Sequence, residues 1–282
     1  MTMTDADALQ SWIGKTRQTH DVIALREAAG MTAMLDRDDP PAEGDPLPPG
    51  WQWIYFGDMA RQSALGPDGH AARGEFLPPV QLPRRMWAGN RLKFHQPIAV
   101  GERIAKTDEI MSIEEKQGRA GALAFVTVKY SFAGDNGLAL EEWHDIVYRA
   151  AAQPGAVAAP GETPPEGAVW RRTLTPDPVM LFRYSALTFN GHRIHYDHPY
   201  VTEEEGYPGL IVHGPLTASL LLDLIRREAP DAVLATSTTR ARRPLFADNP
   251  LVLEGKLTDN GCEVWAIDPD GYVAMTIAAE FK

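Results

Sequence analysis

The sequence predicts an α+β protein made of two similar units, in each of which an antiparallel sheet wraps around a helix. Three features of the 282-residue chain support this class. Alternating apolar and polar residues end both halves, a strongly apolar helix precedes the second set of strands, and a segment rich in Ala, Pro and Gly separates the halves. The length is sufficient for two units, because a single domain most often has about 100–150 residues.

Residues 150–168 form the predicted linker between the units. Fourteen of its 19 residues are Ala, Pro or Gly, and no hydrophobic period is visible. We therefore expect an N-terminal unit over residues 1–149 and a C-terminal unit over residues 169–282. A second segment, residues 40–50, contains five prolines. It predicts a loop inside the first unit, because so many prolines fit neither a helix nor a central strand.

Helices are predicted ahead of each set of strands. In the first half the candidates are residues 23–35 and 51–65. In residues 214–228 leucines and an isoleucine occupy nearly the whole circumference, and Pro215 suits the first turn. Such a helix must be covered on most sides, so we expect a sheet curled around it.

Both halves end in a predicted antiparallel meander. The strands of the first half are expected over residues 104–116, 122–132 and 138–148. Those of the second half are expected over residues 251–257, 262–267 and 272–281. Apolar residues alternate with polar ones in these runs, and Asx-Gly turns separate several of them, which is typical of half-buried hairpin strands. Sliding the halves by 147 residues places Pro97 over Pro244 and indicates a degenerate internal duplication.

Composition and charge exclude several classes of function. The net charge of −11 would repel nucleic acid and anionic lipid. No apolar run approaches the roughly 20 residues that a membrane-spanning helix needs. Cys262 is the single cysteine, so neither an intramolecular disulfide nor a cysteine-based zinc site can form. We expect a cytoplasmic protein that binds neither nucleic acid nor membranes.

One segment of the second half carries the side chains suited to chemistry. It contains the run TFNGHRIHYD and then the tetrapeptide IVHG, which starts the apolar helix. This arrangement resembles the hydratase motif of the MaoC-like, R-specific enoyl-CoA hydratase family, in which Asp-x-Asn-Pro-x-His precedes the Ile-Val-His-Gly that opens the central helix of a hotdog fold. Asn190 stands at the Asp position, His192 at the Asn, Arg193 at the Pro and His195 at the His.

The resemblance and the half-chain repeat together imply a double hotdog fold. The run LPRRMWAGNRLKFHQPIAVGE in the first half narrows the similarity to one branch of the family. This branch contains fatty-acid-synthase-like dehydratases, mitochondrial hydroxyacyl-thioester dehydratases and mesaconyl-C4-CoA or itaconyl-CoA hydratases. We expect the N-terminal unit to have lost the hydratase residues and to shape the acyl tunnel.

Hydration of an α,β-unsaturated thioester needs a base for water and a donor for the negative charge on the thioester oxygen. His195 suits the first role, because the ordinary pKa of histidine is about 6.5. Gly214 suits the second, because its backbone N–H opens a long helix. Asn190 cannot exchange protons and is expected to orient water or substrate. His195 would then accept the proton of water and return one to the α-carbon.

Other roles for the histidines stay open at this point. His192, His195 and His198 lie near Asp197 and could bind zinc or iron, since imidazole and carboxylate are usual ligands. The segment is expected to be a loop, and the resembling family needs no metal, so we expect neither a metal nor another cofactor. His213 has either a packing role at the start of the helix or a role at the substrate.

Three pairs of arginines stand out in this acidic chain, namely Arg84-Arg85, Arg171-Arg172 and Arg242-Arg243. Most charge clusters are solvated surface, but the guanidinium fork also suits the phosphates of CoA or a substrate carboxylate. The sequence does not distinguish the pairs. The substrate-binding candidates are Tyr184, Arg193, His213, Arg242 and Arg243.

The expected function is reversible hydration and dehydration of a short enoyl-CoA. A branched dicarboxylic thioester, such as mesaconyl- or itaconyl-CoA, is favoured by the resemblance alone. A hotdog thioesterase and a non-catalytic acyl-CoA binding protein are the alternatives. The expected partner is an acyl-CoA substrate, and a homodimer is an open alternative to a monomer.

Overall fold

The computed structural model describes residues 5–118, 121–150 and 160–282. In this part of the chain ten strands form one antiparallel sheet. The strands are β1 (Thr16–Val22), β2 (Arg84–Phe94), β3 (Arg103–Gly118), β4 (Gly121–Gly134), β5 (Gly137–Arg149), β6 (Trp170–Leu174), β7 (Leu234–Ala241), β8 (Leu251–Thr258), β9 (Gly261–Ile267) and β10 (Val273–Phe281). The helices are α1 (Asp5–Gln10), α2 (Leu25–Met34), α3 (Pro178–Thr188) and α4 (Gly214–Glu228), with 3-10 turns at Trp51–Ile54, Gln62–Ala64 and Arg193–His195 and a π-turn at Tyr200–Glu204.

The strand order is β1-β3-β4-β5-β2-β7-β10-β9-β8-β6. If β6 to β10 are matched in chain order with β1 to β5, the strand order from one edge of the sheet equals the order from the other edge. The two halves therefore repeat one topology. The strands β2 and β7 join the halves by antiparallel pairing, from Gly89 opposite Arg240 to Lys93 opposite Thr236. The α+β class with two antiparallel meanders is therefore confirmed.

Gly89 allows the backbones of β2 and β7 to approach closely where the two halves pair. Gly89 has a φ of +145°, which side chains rarely adopt, and a Cβ there would lie 2.1 Å from the carbonyl oxygen of Thr239. The pairing of β2 with β5 also shifts register between Trp87 and Gly89. Such irregularities bend a strand locally and re-aim its side chains.

The predicted meander strands are all present. The corresponding strands β3 and β8 start at Arg103 and Leu251, in near agreement with the offset of 147 residues. The three first-half strands have 16, 14 and 13 residues, whereas those of the second half have 8, 7 and 9. A single offset therefore aligns only the start of the two meanders. The strands β1, β2, β6 and β7 were not assigned from the sequence.

The apolar helix α4 has the predicted bounds and lies against β8, β9 and β10. All of residues 216–225 are buried. One of them is a carboxylate, and Asp223 is neutralised by ion pairs from Arg37 and Arg172, each at 2.9 Å, and from Arg227 at 2.7 Å. The sheet of the second half therefore wraps its helix as expected.

The first half uses its helix differently. The helix α2 falls within the predicted residues 23–35, but it packs mainly against α3 and the Trp51–Ile54 turn instead of across β3 to β5. A second, smaller core covers the outer part of the first meander, where Phe76 and Val80 pack against Ile110 and Val126. The expected wrapping around a central helix therefore holds in the second half, whereas a loop covers part of the first sheet.

The predicted helix over residues 51–65 is wrong. Only the two short turns Trp51–Ile54 and Gln62–Ala64 form there. Phe56, with a φ of +57°, lies in the left-handed region and interrupts any helix. The indole of Trp53 is drawn inward, since its Nε1 donates to the buried carboxylate of Glu142 over 2.9 Å. A tertiary contact therefore outweighs the local helical pattern.

Nine of the 19 residues of the predicted linker, 151–159, lie outside the described residues. Residues 161–169 have no regular secondary structure, and β6 starts at Trp170. The proline-rich loop over residues 40–50 is confirmed, since it contains neither helix nor strand. Among the residues that the structure describes, no helix is both long and apolar enough to cross a membrane.

Candidate active site

A pocket of about 880 Å³ is lined by both halves of the chain. The residues from the first half include Trp53, Phe56, His70, Arg85, Trp87, Lys106 and Glu142. Those from the second half include Tyr184, Ser185, Asn190, Arg193, Tyr196 and Pro215. This volume suits a small-molecule ligand, because binding pockets commonly measure about 300–1,000 Å³.

The end of α3 turns the chain so that Asn190 reaches this pocket. Phe189 adopts the left-handed conformation, with a φ of +51°, and the N–H of Asn190 donates to the Ser185 carbonyl over 2.9 Å. The Asn190 Oδ1 accepts the backbone N–H of His192 at 2.9 Å. Within the described chain, the Asn190 side-chain NH₂ has no hydrogen-bond partner, so it is available to water or substrate.

His195 is held in one tautomer. It is 7% exposed, and its Nδ1–H donates to the carbonyl oxygen of Ile211 over 2.7 Å. Since a carbonyl can only accept, the proton lies on Nδ1 and the lone pair on Nε2. Burial lowers the pKa of His195 to about 4, against a smaller rise from the bond to Ile211. The imidazole is therefore neutral at neutral pH, as a general base must be.

His195 belongs to a row of four histidine rings. The ring centroids are 4.0 Å apart for His70 and His192, 5.4 Å for His192 and His195, and 3.6 Å for the stacked pair His195 and His213. Of the four, His70 lines the pocket, and the row continues from it into the protein. Burial, followed by the charges of its neighbours, lowers the pKa of His213 well below the ordinary value. The row is therefore neutral at neutral pH.

His213 is buried next to α3. Its Nε2 shares a hydrogen bond of 2.9 Å with the Ser185 hydroxyl, and its Nδ1 has no partner among the described residues. The ring of Tyr184 lies edge-on at 5.0 Å and also lines the pocket. The predicted residues Tyr184 and His213 are therefore neighbours, and Tyr184 is the one at the pocket surface.

A loop of the first half, which sequence reasoning missed, lies against the hydratase motif. The backbone carbonyl of Asp68 accepts the N–H of Arg193 at 2.9 Å. A Cβ on Gly69 would lie 2.0 Å from the carbonyl oxygen of Gly191, so the two backbones are in direct contact. The Asp68 carboxylate accepts the Nδ1–H of His70 at 3.2 Å. Burial lowers the pKa of His70 despite this carboxylate.

Gly214 places the start of α4 beside the pocket. A Cβ on this residue would lie 2.5 Å from Cε3 of Trp87, so only glycine allows this packing. Its backbone N–H has no partner among the described residues, and the next residue, Pro215, lines the pocket. A free N–H at the positive end of a long helix suits a developing oxyanion.

A buried carboxylate forms part of the wall supplied by the first half. Glu142 is 1% exposed and accepts hydrogen bonds from Asn90 at 2.8 Å, Trp53 at 2.9 Å and His144 at 3.3 Å. Burial raises its pKa, but these donors together outweigh burial and hold the pKa below the usual range. The sequence did contain a signal for Glu142. It is a charged residue at a position of β5 where the alternation of the strand places the side chain in the interior.

The predicted arginines serve mostly in ion pairs. Arg193 lines the pocket, but it pairs with Asp197 at 2.8 Å. Arg242 pairs with Glu162 at 3.1 Å and Arg243 with Asp268 at 2.8 Å, and neither lines the pocket. In the other two predicted arginine pairs, three of the four side chains form ion pairs. These are Arg84 with Glu205, Arg171 with Glu254 and Arg172 with Asp223. Arg85 forms no ion pair with a described residue.

The alternative metal site at His192, His195 and His198 is not assembled. In the described part of the chain, only Asp68, His70 and His192 bring three such ligand atoms within 4.8 Å of one another. This group could hold an ion, but the Asp68 carboxylate already accepts a hydrogen bond from His70. Neither His198 nor Asp197 belongs to it.

Comparison with known proteins identifies the family of this chain. The family model for hydroxyacyl-thioester dehydratase type 2 matches residues 50–247. The mesaconyl-C4-CoA hydratase of Chloroflexus aurantiacus is 44% identical over 279 residues, which cover 99% of each chain.

Two solved structures show the fold. A MaoC-like dehydratase superposes with a TM-score of 0.73 at 16% identity, over 98% of this chain and 100% of that chain. A Mycobacterium tuberculosis protein described as a double hotdog superposes with a TM-score of 0.57 at 16% identity, over 96% of each chain. The predicted double hotdog fold is thereby confirmed. From the match over most of its length, the chain belongs to the hydroxyacyl-thioester dehydratase type 2 family of MaoC-like hotdog proteins.

Proposed function

We propose that this protein is a hydro-lyase that adds water reversibly to a short enoyl-CoA with a branched dicarboxylic acyl group of the mesaconyl-C4 type. The family and the 44% identical relative support the reaction and the acyl group. The observation that carries the proposal is His195, a neutral imidazole held in one tautomer at the histidine position of the hydratase motif. It lies in the same segment as Asn190 and near the start of α4.

In the hydration direction, Nε2 of His195 accepts a proton from water while the water oxygen bonds to the β-carbon. The electrons of the double bond move to the thioester oxygen, where the N–H of Gly214 and the helix dipole stabilise the negative charge. The imidazolium then returns its proton to the α-carbon, which gives the 3-hydroxyacyl thioester. Asn190 orients the water through its free amide group.

The purified protein should be incubated with a panel of enoyl- and 3-hydroxyacyl-CoAs and followed by mass spectrometry. Gain or loss of one water with the thioester intact is the expected result. Release of free CoA without a hydroxyacyl product would identify a thioesterase. Binding without any change of mass would identify an acyl-CoA binding protein.

No metal is part of this scheme, since His195 and Gly214 supply the base and the oxyanion donor. Chelation is expected to leave turnover unchanged. Loss of activity on chelation, restored by one equivalent of zinc or iron, would instead assign the group formed by Asp68, His70 and His192 to a metal. The cytoplasmic location and the homodimer stay predictions, to be checked by cell fractionation and analytical ultracentrifugation.

A further inference from the structure

One of the cations that line the pocket has no carboxylate partner among the described residues. Among the lysines and arginines of its lining, Lys106 lies 3.3 Å from the carboxylate of Asp108, and Arg193 pairs with Asp197. Arg85 has no ion pair with any described residue. The pocket therefore presents a single unneutralised guanidinium.

Among the described residues, Arg85 differs from most other arginines in having no carboxylate partner. It is half-buried, and its hydrogen-bonding neighbour is the neutral phenol of Tyr148. Seven of the nine other described arginines that are not exposed pair with a carboxylate. The remaining two, Arg73 and Arg149, do not line the pocket. A partly buried charge without a counter-charge is unfavourable. An anion brought by a ligand would remove that cost.

The groups on which the charge of Arg85 acts are imidazoles and phenols. Its charge acts on the imidazoles of His70 and His192 and on the phenols of Tyr130 and Tyr148. Burial raises the pKa of both tyrosines and lowers that of both histidines, so all four groups are neutral at neutral pH. They are polar neighbours of a bound anion and do not compete with it.

The position of Arg85 suits the acyl group of the substrate. Arg85 and Trp87 are two residues apart on β2, so both side chains emerge on one face of the strand, roughly 7 Å apart. Trp87 lies against Gly214, the expected donor to the thioester oxygen. In a thioester whose β-carbon bears a carboxylate, two carbon atoms separate that carboxylate from the thioester carbon. With the thioester at Gly214, so short an acyl group would keep its carboxylate close to the side of the pocket that Trp87 and Arg85 line.

We propose that Arg85 binds the carboxylate carried by the β-carbon of the substrate, so that the first half of the chain selects dicarboxylic enoyl thioesters. This inference rests on the proposed hydration activity and adds the residue that determines its specificity. The planar guanidinium can donate two parallel hydrogen bonds to a carboxylate, which also fixes the orientation of the β-carbon toward water.

The test compares two substrates that differ only in the carboxylate. They are mesaconyl-C4-CoA and 3-methylcrotonyl-CoA, in which a methyl group replaces that carboxylate. For Arg85→Met, kcat/KM with the dicarboxylic substrate is expected to fall roughly 10- to 150-fold, the loss typical of a hydrogen bond to a charged group. The value with 3-methylcrotonyl-CoA should change by less than threefold. Arg91→Met, an exposed position on the same strand, is the matched control and should alter neither value.

The outcomes separate this inference from the proposed function. An equal loss with both substrates would place Arg85 at the CoA part and overturn the inference, while hydration itself would stand. An unchanged preference for the dicarboxylic substrate would also overturn it. Failure of the unmodified protein to hydrate either thioester would overturn the proposed function. Should Arg85→Met fail to fold, Arg85→Lys keeps the charge but loses the fork, and it should show a smaller loss in the same direction.

Discussion

The two halves of this molecule share a strand order but cover their sheets with different elements. In the second half a fully buried helix, α4, lies against β8 to β10. In the first half α2 packs against α3, and side chains of β2 to β5 line the pocket instead. One repeat is therefore filled by a helix, whereas the other leaves room for a ligand.

Although the two halves share a topology, they contribute different kinds of residues to the pocket. The second half lines the pocket with Asn190 and with Pro215 at the start of α4, and it contains the proposed base His195. The first half was expected only to shape the acyl tunnel, but it also brings His70, Arg85 and Glu142 to the pocket or its wall. Both halves therefore line one pocket, and they are joined through β2 and β7.

The largest expected effect tests whether the chemistry belongs to the second half. His195→Ala should lower kcat by about 10²- to 10⁴-fold, because general acid–base catalysis typically contributes that much. His198→Ala is the control, since this neighbouring histidine is exposed. The values of kcat and KM should be measured separately by steady-state kinetics. Near-normal turnover in a folded His195→Ala variant would show that another residue is the general base.

The next effect concerns the helix that distinguishes the halves. Leu220 is fully buried in α4, so Leu220→Ala should reduce the free energy of unfolding by about 2–5 kcal/mol. Leu25→Ala in α2 is the matched change, and it should cost less than about 0.5 kcal/mol because Leu25 is 48% exposed. Urea denaturation followed by circular dichroism gives both values. Equal losses would contradict the different roles of the two helices.

A third change acts on the contact between the halves. Gly214→Ala places a Cβ 2.5 Å from the Trp87 ring, which must then move. We expect a loss of about 1–3 kcal/mol in stability from overpacking, together with a lower kcat because the oxyanion donor is displaced. At Gly209 a Cβ would meet nothing within 4 Å, so Gly209→Ala is the control. Reduced stability with unchanged kcat would exclude the Gly214 N–H as the donor.

The smallest expected effects concern Asn190, which stands where the family motif has Asp. Asn190→Ala should weaken kcat/KM by the equivalent of about 0.5–3 kcal/mol, the range for a lost hydrogen bond. Asn190→Asp should retain part of the activity, but its negative charge should raise the pKa of His195.

The sign of the pH effect follows from the need for a neutral base. Activity is lost as the pH falls through the pKa of His195, which burial lowers to about 4. In Asn190→Asp this acidic limit should therefore move to higher pH. A pH–rate profile of both proteins measures it, and an unmoved limit would show that residue 190 does not act on the base.

The sequence determined the features that depend on neighbours along the chain. The two-residue period located the strands of both meanders, and the continuous apolar circumference of residues 214–228 located α4 with its correct bounds. The motif around Asn190 and His195 was also readable, because its spacing is local. The tautomer of His195 was not, since it depends on the carbonyl of Ile211.

Only the tertiary structure decided what distant residues do to each other. Residues 51–65 carry a helical pattern, yet the buried Glu142 draws Trp53 inward and the chain forms short turns. Among three similar pairs of arginines, the sequence had no means of selecting Arg85. The other arginines of these pairs are engaged by carboxylates from distant parts of the chain, such as Glu254 for Arg171 and Asp223 for Arg172. The pairing of these arginines depends on the tertiary fold, whereas hydrophobic periodicity is local.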